Sequence, residues 1–320
     1  MRRFRGAAWR TTTIAGLVVL PALLIVILPA DDGRATTVDW ANRSSTWAPV
    51  TASRYPGAGD LDGDGDADLI VFDPIGALEN TGPGSYPSWS ARDDWVATLV
   101  LPEGYIFGAD LGDLDGDGDS DLLVSIDVVG IVYFENTGGT TTPIWVRNDD
   151  HFVYPSYLPP SPSIVDLDGD SDADIALGGW HALGCIWNEG SSSEPVWVED
   201  WAAFEDIHPY GEFIDLNFGD VDDDGDLDLL TAPQASSGIL QAYENAGDAS
   251  NPDWIFNLDL ITGLPQFDDM SGACLVDLSG DDNPDFLTLR AFSSSCYLNE
   301  GADTTAVANR SWGRIKSEFR

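Results

Sequence analysis

The chain has 320 residues, of which 55 are acidic and 14 are basic, so its formal net charge at pH 7 is -41. Phosphate backbones would repel so acidic a protein, which excludes nucleic acid as a partner. A hydrophobic fraction of 43% with 12 tryptophans is enough for a packed core, which excludes a wholly disordered chain. Adaptation to a salty medium is an alternative reason for the excess of acids.

The first thirty residues differ from the rest of the chain. Four arginines lie within residues 1–10, an apolar run covers residues 13–30, and the acidic pair Asp31-Asp32 follows. This order is typical of an export signal, although the run is also just long enough to span a membrane. We expect residues 1–30 to be a signal peptide, with an uncleaved N-terminal membrane anchor as the alternative. In both cases the protein would be secreted or displayed on the cell surface, and the membrane would be contacted only through such an anchor.

A nine-residue acidic segment then occurs five times. The copies are DLDGDGDAD at 60–68, DLDGDGDSD at 113–121, DLDGDSDAD at 166–174, DVDDDGDLD at 220–228 and DLSGDDNPD at 277–285. A short apolar run typical of a β-strand follows each copy. We name these segments acidic loops 1 to 5 and number their positions 1 to 9. Their nearly constant spacing indicates five structural repeats.

A second motif, an asparagine turn such as ENTG or ENAG, comes later in each repeat. In the first four repeats the asparagine is followed seven residues later by proline and nine residues later by tryptophan. The asparagine–tryptophan pairs are Asn80 and Trp89, Asn136 and Trp145, Asn188 and Trp197, and Asn245 and Trp254. We interpret the regular tryptophan as a structural residue wedged between repeats.

Each repeat therefore reads as four short strands: strand, acidic loop, strand, turn, strand, asparagine turn and tryptophan strand. Four-stranded antiparallel units repeated around an axis are propeller blades. We predict an all-β fold, a β-propeller of about five four-stranded blades over residues 31–309. The sequence units start near residues 40, 89, 145, 197 and 254. The ends of the chain are expected to meet and close the ring, with an open stack of five units as the alternative.

The aspartates of the acidic loops indicate calcium, a hard cation that takes six to eight oxygen ligands in flexible geometry. An EF-hand does not fit, because the twelfth residue is Val71 or Val124 instead of glutamate and a strand follows in place of a helix. Loops 3 and 5 are expected to be weaker, since Ser171 and Asp282 replace a turn glycine and Ser279 replaces an aspartate. We predict four to five calcium ions. The predicted ligands are Asp60, Asp62, Asp64, Asp66 and Asp68 in loop 1; Asp113, Asp115, Asp117, Asp119 and Asp121 in loop 2; Asp166, Asp168, Asp170, Asp172 and Asp174 in loop 3; Asp220, Asp222, Asp224, Asp226 and Asp228 in loop 4; and Asp277, Ser279, Asp281, Asn283 and Asp285 in loop 5.

These loops, together with the asparagine-to-tryptophan segment, resemble the FG-GAP/VCBS repeat, the calcium-binding blade of integrin-α-type propellers and of many bacterial surface proteins. The resemblance covers roughly residues 40–303 and implies calcium at the same aspartates. It also implies a role in adhesion, in glycan recognition or as a non-catalytic module of an enzyme. Integrin-like propellers generally have seven blades, whereas this sequence has five repeats.

The remaining motifs do not indicate an enzyme. His151, His181 and His208 lack the spacing of metal ligands, and neither a nucleophile motif nor a phosphate-binding glycine loop is present. We expect a binding or adhesion module for an extracellular protein or glycan. The alternatives are a carbohydrate-binding lectin and a catalytic or non-catalytic part of an extracellular polysaccharide-degrading system. Aromatic side chains lining a pocket between blades would favour the lectin.

Two features leave alternatives open. Cys185, Cys274 and Cys296 are an odd number of cysteines for an exported chain, and a disulfide is compatible with the sequence but cannot be assigned. Residues 310–320 carry four bases after an almost base-free body. This basic tail would either dock on the last blade or serve as a sorting or attachment tag.

Overall fold

A computed structural model describes most of the repeat region. The described residues are 38–49, 54–82, 86–138, 141–154, 160–179, 183–211, 213–234, 239–248, 250–266, 272–290 and 293–302. The expected signal segment and the basic tail lie outside them. Within these residues, no helix has the length and apolar character needed to cross a membrane.

The described chain folds into five antiparallel four-stranded blades, written here from the innermost strand outward. Blade 1 is β2 (Arg54–Gly59), β3 (Asp68–Phe72), β4 (Gly76–Asn80) and β5 (Trp89–Ala91). Blade 2 is β6 (Ile106–Gly112), β7 (Asp121–Ile126), β8 (Gly130–Asn136) and β9 (Trp145–Arg147), with β10 (Val153–Tyr154) also paired to β8. Blade 3 is β11 (Ser161–Val165), β12 (Asp174–Gly178), β13 (Leu183–Asn188) and β14 (Trp197–Asp200).

The last two blades follow the same plan. Blade 4 is β15 (Ile214–Gly219), β16 (Asp228–Pro233), β17 (Gln241–Asn245) and β18 (Trp254–Phe256), followed by a 3-10 helix at Leu258–Ile261. Blade 5 is β19 (Ala273–Val276), β20 (Asp285–Arg290), β21 (Ser293–Ala302) and β1 (Val38–Asn42). The predicted all-β, five-bladed propeller is confirmed.

The ring is closed by the first strand of the described chain. Strand β1 pairs antiparallel with β21 and becomes the outermost strand of blade 5. The innermost strands touch in cyclic order, including β19 against β2. The open stack is therefore wrong. Trp40 is the register partner of Asn299, just as Trp89 is of Asn80, so the tryptophan that opens each sequence unit lies in the preceding blade.

The blades are held together by apolar side chains on both faces of each sheet. Second strands show this most clearly: every residue of β3 and of β7 is buried. A strand covered on both faces is expected to be apolar along its whole length rather than alternating. This is the reason why the acidic loops run directly into apolar sequences such as Leu69-Ile70-Val71.

The regular tryptophans join neighbouring blades, as the sequence predicted. Four of their indole N–H groups donate to carbonyls in the segment that follows the outer strand of the preceding blade. The bonds are Trp40 to Leu260 (2.7 Å), Trp89 to Trp47 (2.6 Å), Trp145 to Trp95 (2.7 Å) and Trp197 to His151 (2.9 Å). Trp254 packs instead against Phe204 and Phe218, with ring centroids 6.3 and 6.0 Å away.

All three cysteines are buried free thiols. Cys274 on β19 and Cys296 on β21 are both register partners of Leu287 on β20, so a whole strand separates them. Two strand spacings are about 9.5 Å, beyond the roughly 7 Å limit for the Cα atoms of a disulfide. Cys185 lies in blade 3, away from both. The disulfide that the sequence left open is thus not formed among these residues.

Candidate metal centres

The acidic loops all connect the first strand of a blade to its second strand. Because the five blades share one connectivity and the innermost strands run in the same direction, the five loops lie on one face of the ring. We name this side the loop face. Any ions bound by the loops would therefore be arranged around one rim of the propeller.

The aspartate at position 1 folds each loop around its own carboxylate. In loop 1, Asp60 Oδ1 accepts the Gly63 N–H at 2.7 Å and Oδ2 accepts the Gly65 N–H at 3.0 Å. Loops 2, 3 and 5 repeat this pair of main-chain hydrogen bonds from positions 4 and 6, whereas in loop 4 the first donor is the position-5 N–H. The carboxylates and their donors are Asp113 with Gly116 and Gly118, Asp166 with Gly169 and Ser171, Asp220 with Asp224 and Gly225, and Asp277 with Gly280 and Asp282. Main-chain hydrogen bonds to one carboxylate thus shape each loop from within.

The aspartate at position 9 ties the loop to the asparagine turn. Asp68 is fully buried; its Oδ2 accepts the Leu61 N–H at 3.0 Å and its Oδ1 accepts the Asn80 N–H at 2.7 Å. The other position-9 residues, Asp121, Asp174, Asp228 and Asp285, make the same two contacts. Burial raises the pKa of Asp68 to about 7 and that of Asp228 to about 8.

Positions 1, 3 and 9 converge in the first four loops. One oxygen from each carboxylate lies within 4.8 Å of the others in each of four clusters: Asp60, Asp62 and Asp68; Asp113, Asp115 and Asp121; Asp166, Asp168 and Asp174; and Asp220, Asp222 and Asp228. These clusters could hold metal ions. They bring together twelve of the predicted ligands.

Position 3 is the residue that points to a cation. The Oδ1 atoms of Asp62 and Asp168 are buried and have no hydrogen-bond partner. Burial raises the pKa of both carboxyls, and the neighbouring aspartates at position 5 raise it further. A buried carboxylate oxygen beside two other carboxylates is unfavourable unless a positive charge compensates it. An oxygen-rich site of this kind fits a hard cation such as calcium.

Positions 5 and 7 mainly shape the loop. The position-5 carboxylate accepts the position-7 N–H in all five loops, at 2.9 to 3.2 Å: Asp64 from Asp66, Asp117 from Asp119, Asp170 from Asp172, Asp224 from Asp226 and Asp281 from Asn283. The four position-7 aspartates lie outside the carboxylate clusters. Among the described residues, loop 5 forms no such cluster. Its Ser279 hydroxyl donates instead to Asp277 Oδ1 at 3.3 Å.

The turns inside the loops require left-handed backbone. Gly65 has a φ of 90°, and the residues that replace this glycine keep the same conformation: Ser171 at 74° and Asp282 at 71°. Asp223 in loop 4 is also left-handed, with a φ of 58°. A residue with a Cβ atom costs about 1 kcal/mol in this conformation. Loop 4, which the sequence ranked with the stronger loops, therefore carries a cost of the same kind as loops 3 and 5.

The sequence did not identify Glu244 as a candidate ligand. One of its oxygens lies within 4.8 Å of oxygens of Asp222 and Asp224, forming a second carboxylate cluster in loop 4. Glu244 is buried on β17 and accepts a hydrogen bond from Asn257 Nδ2 at 2.9 Å. The glutamate before the turn asparagine recurs as Glu79 and Glu135. The recurrence of this glutamate was the sequence feature that could have identified Glu244 as a candidate ligand.

Two further carboxylates line the central channel, outside the acidic loops. The innermost strands enclose a cavity of about 150 Å³ there. Asp110 Oδ2 on β6 of blade 2 accepts the Ile164 N–H on β11 of blade 3 at 2.8 Å, so it satisfies a donor at the inner edge of the neighbouring blade. Asp215 Oδ1 accepts Gln234 Nε2–H at 2.5 Å. Burial raises the pKa of both aspartates to about 7.

The channel is bridged at the end opposite the loop face. The rings of Phe107 and Phe213 stack with centroids 5.5 Å apart and an interplanar angle of 6°. Gln234 Nε2 also donates to the Phe107 carbonyl at 2.7 Å. These contacts join blades 2 and 4, which are not neighbours in the ring. The channel carboxylates are thus held in a packed interior.

No protein-family model matches the sequence, and no curated protein matches it. Solved structures with distant similarity to it are known. A protein assigned as an exo-beta-1,3-galactanase from Bifidobacterium bifidum is 13% identical, with 80% of this chain and 92% of that chain covered and a TM-score of 0.49. An Agrocybe aegerita lectin that recognises non-reducing terminal N-acetylglucosamine is 15% identical, with 80% and 65% covered and a TM-score of 0.37. The Photorhabdus luminescens Tc holotoxin pore is 16% identical, with 82% and 14% covered and a TM-score of 0.38.

These similarities concern the fold alone. With identities of 13 to 16% and TM-scores below 0.5, none of these proteins indicates what this chain binds. A propeller can carry many unrelated functions, so function has to be argued from the site itself.

Proposed function

We propose that this chain is an exported calcium-binding propeller of the FG-GAP/VCBS type that acts as a binding or adhesion module for an extracellular protein or glycan. The observation that carries the proposal is the repeated convergence of the carboxylates at positions 1, 3 and 9 on the loop face. Calcium fits better than magnesium, because it accepts flexible all-oxygen geometry whereas magnesium demands a strict octahedron and keeps its waters. Export through residues 1–30 would place the loops where free calcium is plentiful.

The proposed role of the ions is structural. Each would neutralise a cluster of carboxylates that otherwise repel one another, and would fix a loop between two strands of a blade. Since the ring is closed and the loops share one face, the loaded protein would present all of its ion-bound loops together to a partner. Loops held on such a scaffold are common places for recognition. We propose a non-catalytic role, because calcium and main-chain N–H groups account for the clustered carboxylates.

Thermal unfolding with and without calcium tests the proposal. An ion that binds only the folded state at one hundred times its Kd adds about 2.7 kcal/mol per site. Four such sites should raise Tm by more than about 10 °C, given roughly 2 to 4 °C per kcal/mol for a protein of this size class. A chelator should remove this gain, and magnesium should not restore it fully. An unchanged Tm in chelator would show that the clusters do not bind calcium.

The loops should differ in a defined way. Asp113→Ala removes a ligand from the complete cluster of loop 2, whereas Asp277→Ala affects loop 5, where Ser279 stands at position 3. We expect Asp113→Ala to lose more of the calcium-dependent rise in Tm, and native mass spectrometry to count four ions on the wild type. Both variants lose the equivalent hydrogen bonds from the position-4 and position-6 N–H groups, so Asp277→Ala is the control. It also loses the hydrogen bonds from Ser279 and Asp281, so the two variants are compared by the calcium-dependent part of Tm and not by the total Tm. An equal loss in the two variants would contradict the ranking.

A further inference from the structure

A cleft opens on the loop face at the junction of blades 5 and 1. Its volume is about 550 Å³, and its walls include Arg43, Trp47, Tyr86, Ser279 and Asp281. Ser279 and Asp281 belong to loop 5, while Arg43 and Trp47 follow β1. The cleft therefore lies where the first strand closes the ring.

Tyr86 provides an exposed aromatic ring in this cleft. Its side chain is 64% exposed, yet it rests against the buried Trp47, with ring centroids 5.9 Å apart and an edge-on angle of 87°. Trp47 is itself fixed, because its carbonyl accepts the indole N–H of Trp89 at 2.6 Å. An exposed ring on a rigid base loses little conformational entropy when a ligand covers it.

No other blade repeats this aromatic residue. Tyr86 immediately precedes the proline of the asparagine-to-tryptophan segment, and the residues at the same place in the next three blades are Thr142, Glu194 and Asn251. Tyr86 is not part of a core cluster, since most of its surface remains in solvent. The aromatic ring is thus a feature of one junction and not of the repeat.

The polar wall of the cleft comes from the loop that lacks a carboxylate cluster. Ser279 occupies position 3 of loop 5 in place of an aspartate, and the position-5 Asp281 lines the same wall. Arg43 also lines the cleft; its guanidinium pairs with Glu300 at 3.1 Å while its side chain remains 40% exposed. Carboxylate acceptors and guanidinium donors around an aromatic ring suit a ligand with one apolar face and a rim of hydroxyl groups.

We propose that this cleft binds a pyranose ring of an extracellular glycan. The apolar C–H face of the sugar stacks on Tyr86, its hydroxyl groups donate to the Asp281 carboxylate, and they accept from Arg43. The proposal rests on the proposed binding function and narrows its ligand to carbohydrate. It also gives loop 5 a role other than holding an ion.

The test uses the full chain loaded with calcium. Methyl β-D-glucopyranoside, methyl β-D-galactopyranoside and N-acetylglucosamine are titrated separately and followed by saturation-transfer NMR and calorimetry. We expect at least one of them to bind, and Tyr86→Ala to weaken its Kd by at least about tenfold, as the loss of an aromatic anchor does. Tyr210→Ala is the matched control, because Tyr210 is 62% exposed and lies before β15 in blade 4. It should bind as the wild type does.

Asp281→Asn separates the cleft from the metal centres. Asparagine keeps an oxygen for the Asn283 N–H that Asp281 accepts at 3.1 Å, so the loop should fold normally. We expect weaker sugar binding with an unchanged number of calcium ions and an unchanged Tm. Failure of all three sugars to bind, or wild-type affinity in Tyr86→Ala, would overturn the proposal. A calcium-dependent Tm that persists in that case would leave the proposed function standing.

Discussion

Aspartates that look alike in the sequence have different roles in the folded chain. Asp121 at position 9 is fully buried and accepts the Leu114 and Asn136 N–H groups and the Tyr133 hydroxyl. Asp115 at position 3 accepts the Asp117 N–H at 3.2 Å. Position 9 therefore belongs to the hydrogen-bonding framework, whereas position 3 is the clearest candidate for a metal ligand.

Substitution by alanine should separate the two roles. Asp121→Ala leaves buried donors without an acceptor, so it should lower the free energy of unfolding by at least about 2 kcal/mol in chelator as well as in calcium. Asp115→Ala should cost less than about 1 kcal/mol in chelator and should lose stability mainly in calcium. Urea unfolding of both variants in the two conditions measures this. An equal cost of the two substitutions in chelator would show that the roles are not separate.

The repeated aspartates were evident from the sequence because their spacing is regular, but the position-9 hydrogen bonds were not. Asp68 reaches the Asn80 N–H only after β4 has folded back against β3. Glu244 was not identified from the sequence for a similar reason, because it lies on β17 whereas its neighbours Asp222 and Asp224 lie in acidic loop 4, between β15 and β16. Contacts that form through strand pairing have no local spacing to reveal them.

At the scale of elements, closure of the ring depends on a single five-residue strand. Strand β1 supplies Trp40, which is 6% exposed and donates its indole N–H to Leu260 in the 3-10 helix after blade 4. Val38 and Trp40 also pack in one core cluster with Phe286 and Tyr297 of blade 5. The strand therefore binds its own blade through the backbone and through side chains, and it binds the preceding blade through side chains.

Trp40→Ala should be among the most damaging single changes in the protein. Loss of a buried tryptophan typically costs about 3 to 5 kcal/mol, which corresponds to a fall in Tm of roughly 10 °C here. Trp201→Ala is the control, because Trp201 is 46% exposed and should cost well under half as much. Differential scanning calorimetry in calcium compares them. A similar Tm for the two variants would indicate that β1 is dispensable for the ring.

Five repeats, strand content and the wedge role of the tryptophans could all be predicted from the sequence. The partner of Asn299 could not, because nine residues after it stands Ala308, and the tryptophan that fills this place is Trp40 at the other end of the chain. A spacing rule applies within a repeat, whereas the pairing of distant ends is decided by the curvature of the whole ring.

At the scale of the whole molecule, the channel carboxylates should make stability depend on pH. Asp110 and Asp215 have folded-state pKa values of about 7, against an ordinary value of 3.8, because both are buried. Below about pH 4 the two carboxyls are protonated in both the folded and the unfolded protein, so they do not lower the free energy of unfolding. Between about pH 4 and 7 the unfolded chain ionises while the folded one keeps its protons, so each group lowers stability by up to about 1.4 kcal/mol per pH unit.

In chelator, the protein should therefore be more stable at about pH 5 than at about pH 8. Repulsion among its many acids also weakens at lower pH and changes stability in the same direction. The double variant Asp110→Asn with Asp215→Asn cannot ionise at these sites, so the loss of stability with rising pH should be smaller. A hydrogen bond weakened by an asparagine amide lowers the free energy of unfolding by the same amount at every pH. The slope of that free energy against pH therefore does not change. Urea unfolding across this range gives the slopes. Identical slopes would show that the channel carboxylates do not titrate as proposed.

The closing strand also fixes an order of events during folding. Strand β1 precedes every other described strand in the chain, yet its partner β21 is the last of them, so β1 is the first strand to be made and the last that can pair. Bringing together segments so far apart costs chain entropy that short hairpins do not, and non-local pairings of this kind slow folding. Until it pairs, a newly made chain has two open sheet edges, one on β1 and one on β21. Calcium bound early by the four blades already formed would keep that intermediate ordered until β1 pairs with β21.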